Sequence, residues 1–227
     1  MEQFGKEHPE LAGQLAAAGP LLRANLLSLI ADRLECNSAS LMVASGQDLQ
    51  TARAAGLFET ARERLLVDAK GIRDTCARLR QAAEALSLGG GAHSNGGAVL
   101  LLGVSNPLQV VEAASLCLAA GRACILAEDS LAAHSLAFMG GVIRGALMDL
   151  GLPEQALLWL DRLDELMDEE FSIINEQLAL VIWLGHLEPE DSLKAHIRLP
   201  FERIMKASDI TAMLNREASQ EQEEQQA

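Results

Sequence analysis

Residues 98–127, AVLLLGVSNPLQVVEAASLCLAAGRACILA, decide the fold. Ala98–Gly103 is a short apolar run of the kind a parallel strand buried on both faces shows. Pro107 suits the first position of a helix that continues to Ala120. Arg122–Ala127 is apolar again and reads as a second strand. Strand, helix and strand in so short a span define a βαβ unit. Downstream the alternation continues. Residues 130–150 read as a helix closed by Gly151-Leu152-Pro153. Ala156–Leu160 is a third strand, Asp161–Glu170 a helix, and Leu178–Leu184 (LALVIWL) a fourth strand. The expected fold class is α/β, a Rossmann-like parallel sheet with flanking helices, spanning 98–214.

Upstream the period changes to that of helices. Pro20 opens a helix over 20–36 with Leu22, Leu26, Leu29 and Ile30 on one face. A second runs through 38–56, where Gly56 is a stop signal. A third starts near Thr60 and pauses at Val67. Asp68 is positioned to cap a fourth, whose seam is Leu65, Ala69, Ile72, Cys76, Leu79, Ala83 and Leu86. Residues 1–87 therefore form a helical section that packs on the sheet, within one compact domain. Residues 88–97 (LGGGAHSNGG) are a glycine-rich connector. They lack the GK[ST] ending of a phosphate loop, and their glycines precede the strand instead of following it. Residues 215–227 are an acidic tail too polar to offset its ordering entropy. Residues 185–216 suggest only short helical pieces and no strand.

Composition narrows the function. Of 227 residues, 49% are apolar and only 3% aromatic, so the core is aliphatic. The net charge of −14 argues against nucleic acid and against anionic membrane surfaces. The start of the chain does not read as a secretory signal, and no apolar stretch approaches a membrane span. The expected location is cytoplasmic. The four cysteines, Cys36, Cys76, Cys117 and Cys124, form no CxxC pair and read as reduced core residues. The five histidines are scattered, so no zinc site is expected. The acidic run Asp164, Glu165, Asp168, Glu169 and Glu170 reads as a solvated helix face.

Several separated segments, in order and spacing, resemble γ-glutamyl phosphate reductase (glutamate-5-semialdehyde dehydrogenase) of the aldehyde dehydrogenase superfamily. They are LLSLIADRLE (26–35), ASGQDLQTARAAGL (44–57), ERLLVDAKGIRDTCARLRQ (63–81), PLQVVEAASLCLAAGRACIL (107–126) and GLP (151–153). The likeness covers roughly residues 20–160 and corresponds to the family's N-terminal, cofactor-domain half. It implies an NADPH-dependent reduction of an acyl phosphate through a cysteine thioester, in proline synthesis. Such chemistry needs an activated thiolate and an oxyanion site.

The resemblance maps no cysteine of this chain onto that nucleophile: Cys117 corresponds to a helix residue, and Cys124 sits in a strand. No catalytic residue is therefore assigned. Where the family has a Glu-Ala-Arg-Pro turn, this chain has Val104-Ser105-Asn106-Pro107. Where the family has Gly-Gly-Lys-Glu, it has Glu128-Asp129-Ser130-Leu131. Ser105, Asn106, Pro107, Glu128 and Ser130 are thus the candidate cofactor contacts, in degenerate form. Two carboxylates near an NADP 2′-phosphate repel it, by about 4 kcal/mol per pair of charges at about 4 Å and a dielectric of about 20. Glu128 leaves an NAD ribose as the alternative. The family's β-hairpin strands before the first cofactor strand are replaced by the connector, which puts the family's dimer in doubt. LALVIWL then reads as an exposed sheet edge or as an interior strand, and an exposed edge seeks a partner chain or self-association. The resulting expectation is a catalytically inactive binding or regulatory module without a resident cofactor. The alternative is the NAD(P)-binding half of a split oxidoreductase.

Overall fold

The computed structural model describes residues 11, 13–15, 17–89, 97–103, 106–127, 131–160, 175–176, 178–184, 197–199, 201–204, 209–210 and 212–214. Residues 11, 13–15 and 17 are helical, and α1 (Pro20–Cys36), α2 (Ser38–Ala54), α3 (Glu59–Leu65) and α4 (Ala69–Ser87) follow. The α/β section follows as β1 (Ala98–Leu102), α5 (Pro107–Ala119), β2 (Ala123–Ala127), α6 (Ala133–Asp149), β3 (Leu157–Leu160), β4 (Leu178–Trp183) and β5 (Phe201–Arg203). The expected α/β fold class is what the structure has, and β1, α5, β2, α6, β3 and β4 follow one another as expected.

The five strands form one sheet in the order β3-β2-β1-β4-β5, every neighbouring pair parallel. Alternation along the strands separates two apolar faces. Val99, Leu101, Cys124, Leu126, Leu180 and Ile182 join the large core shared with α1, α2, α4, α5 and α6. Ala98, Leu100, Leu102, Ile125, Leu178 and Val181 form a smaller cluster with Ile197.

Helix α5 is the centre of the layered packing. Every residue of it except Gln109 is buried, because the sheet lies on one side and the helical section on the other. Small residues such as Ala113, Ala114 and Ala119 let both neighbours approach. Its one buried charge, Glu112, receives a bidentate pair from Arg78 on α4, with Nε and Nη2 at 2.7 and 2.8 Å. That ion pair holds the guanidinium's pKa above its usual value. Helix α4 starts where Asp68 accepts from Gly71 N–H at 2.6 Å, the cap its sequence announces. Gly71 also sits so close to α5 that a Cβ there would lie 2.8 Å from Leu108 Cδ1.

One pair of alternatives is decided and one expectation changes. LALVIWL is the interior strand and not the edge: β4 lies between β1 and β5, and the described edges are β3 and β5. The physical reason is β5, which pairs Phe201, Glu202 and Arg203 with Val181, Ile182 and Trp183. Its three residues are too few to show a period, so the sequence gives no strand signal there. Cys36 is exposed at the end of α1, so only Cys76, Cys117 and Cys124 are core thiols. The glycine connector between 90 and 96, the helix expected over Asp161–Glu170 with its acidic run, and the tail from 215 lie outside the described residues. Among the described residues no helix is long and apolar enough to cross a membrane.

Candidate functional site

In an open parallel sheet, ligands gather outside the carboxyl ends of the strands where the strand order reverses. Here the chain moves from β1 outward through β2 to β3, then returns to the other side of β1 as β4. The switch point therefore lies between the ends of β1 and β4. Leu184 N–H closes it by donating to Leu102 O at 2.8 Å, and Ile204 N–H donates to Trp183 O at 3.0 Å. The N-terminus of α5 stands at the end of β1.

Two of the candidate cofactor contacts are described, and both belong to that helix start. Asn106 is the N-cap of α5 and Pro107 its first residue. Asn106 Oδ1 accepts Leu108 N–H at 2.9 Å. Asn106 O accepts Gln109 N–H at 3.0 Å and Val110 N–H at 3.3 Å. Pro107 has no N–H. Of the four amides a helix start leaves over, Leu108 N–H and Gln109 N–H are engaged within the chain and Pro107 has none, which leaves Asn106 N–H. Ser105, Glu128 and Ser130 lie outside the described residues.

The other strand-to-helix start, at α6, is held by a residue that sequence reasoning did not single out. Asp48 on α2 is only 1% exposed. Its Oδ1 accepts His134 N–H and its Oδ2 accepts Ser135 N–H, each at 2.9 Å. His134 Nδ1 lies 3.1 Å from the same Oδ1. Helix α6 has no side-chain cap of its own. A carboxylate from 86 positions away supplies it, and it neutralises the positive end of the helix dipole. Nothing local marks Asp48, because its partners are close only once the helical section has folded onto the sheet.

The thiols lie away from the switch point. Cys117 is buried on α5 and Cys124 on β2, where its Sγ approaches Ala114 O at 3.6 Å. Burial, and then the neighbouring Cys117 thiol, push the Cys124 pKa well up. Burial, with Glu35 adding to it, pushes Cys76 up to about 11. Such thiols stay protonated and unreactive. Among the described residues no group of three or more His, Cys, Asp or Glu side chains is arranged to hold a metal ion.

A helical section packed on an all-parallel 3-2-1-4-5 sheet, with its crevice between β1 and β4, is the aldehyde-dehydrogenase-like arrangement. A gamma-glutamyl phosphate reductase from Saccharomyces cerevisiae superposes with a TM-score of 0.70 at 17% identity, over 88% of this chain and 54% of that one. A glyceraldehyde-3-phosphate dehydrogenase from Methanocaldococcus jannaschii, solved in complex with NADP, gives 0.55 at 13% identity over 81% and 46%. Sequence relatives narrow the class: the chain is homologous to the gamma-glutamyl phosphate reductases and matches their N-terminal half. That of Meiothermus ruber is 31% identical over 204 residues, 83% of this chain and 49% of the relative. The chain spans about half the length of the curated relatives it matches. No family model matches it.

Proposed function

We propose that this chain is a non-catalytic relative of gamma-glutamyl phosphate reductase that serves as a binding or regulatory module, acting through a protein partner or self-association. The single observation that carries the reading is the self-capped start of α5. Asn106 accepts Leu108 N–H and Gln109 N–H and Pro107 has no N–H, so among the described residues this helix start offers a phosphate fewer amides than an uncapped one. The sequence of the second turn supports it, since Glu128 and Asp129 bring negative charge where the family's turn carries lysine. The positions of the thiols support it too. Three are buried and Cys36 is at the far end of α1, so none of the chain's cysteines stands at the strand ends as a nucleophile.

A second reading is favoured by the intact switch point. The sheet order, β1 and β4 are all those of a cofactor domain. On this reading the chain is the NAD(P)-binding half of a split oxidoreductase and another chain brings the thiol. Thermal unfolding with and without cofactor separates the two. A ligand present at about 100 times its Kd stabilises the folded state by about 2.7 kcal/mol, a shift of several degrees for a domain of this size. The module reading expects no shift with NADP, NADPH, NAD or NADH at millimolar concentration. A shift that saturates in the micromolar range, with NADPH oxidation on adding a second chain and an acyl phosphate as hydride acceptor, would support the split enzyme instead.

A further inference from the structure

We draw no further inference here: the strongest candidate, the apolar surface at the two ends of α3 where Phe58 and Leu66 stand exposed, is an unpartnered face, and nothing in the structure shows what covers it.

Discussion

At the scale of single residues, Asp48 ties α2 to the start of α6. Asp48→Ala leaves two first-turn amides of α6 without their acceptor, that of Ser135 in a buried place. A loss of about 1–3 kcal/mol is expected, read as a lowered midpoint in urea. Asp48→Asn keeps one acceptor oxygen and should recover part of it. The thiols give a second prediction. Native thiol titration should report Cys36 alone, and all four only in denaturant. Because Cys76 is raised from 9.0 to about 11, its neutral form favours the folded state. That contribution is whole below pH 9 and is lost as pH rises from about 9 to 11, where the unfolded thiol ionises and the folded one does not. The slope of stability in that window should flatten in Cys76→Ala. The burial of Cys76 was legible in the α4 seam. The exposure of Cys36 was not, since a helix end between two helices carries no periodic signal.

At the scale of elements, pairs and close approaches decide. Arg78 and Glu112 join α4 to α5, but they are not equivalent. The side chain of Glu112 is 4% exposed and that of Arg78 is 48%. Arg78→Met strands a buried carboxylate and should cost about 3 kcal/mol. Glu112→Gln frees a guanidinium that can turn to water and should cost about 1 kcal/mol. An equal cost for the two, measured by denaturation, would contradict the asymmetry. Gly97 enters β1 with φ +87°, opposite a bulge at which Leu178 and Leu180 pair with Ala98 and Val99 and Ala179 is left over. A Cβ on Gly97 would lie 2.7 Å from the Ala179 Cβ. Gly97→Ala is expected to lose about 1–3 kcal/mol from strain and crowding together, and a neutral substitution would show that the bulge yields. Most elements were readable because their periods are clean: the apolar runs of β1, β2 and β4, the seam of α4, and the stop at Gly151. β5 was not, since three residues next to polar sequence are strand only because β4 offers an edge.

At the scale of the whole molecule, the scaffold and the site part company. The sheet order and its switch point match the aldehyde-dehydrogenase-like fold, and residues 107–126 announce them without any structure. The crevice chemistry was legible only as substitutions in two turns. Whether a helix start is open or closed depends on where Asn106 places its oxygens, which sequence does not state. Fold does not by itself confer activity, and the binding-module proposal rests on the self-capped start of α5.

The most direct test is a calorimetric titration of the full chain with NADPH and, separately, with NADH. The account predicts no saturable heat up to millimolar cofactor. Saturable binding in the micromolar range would contradict it, by showing that the α5 start opens to a phosphate despite Asn106 and Pro107.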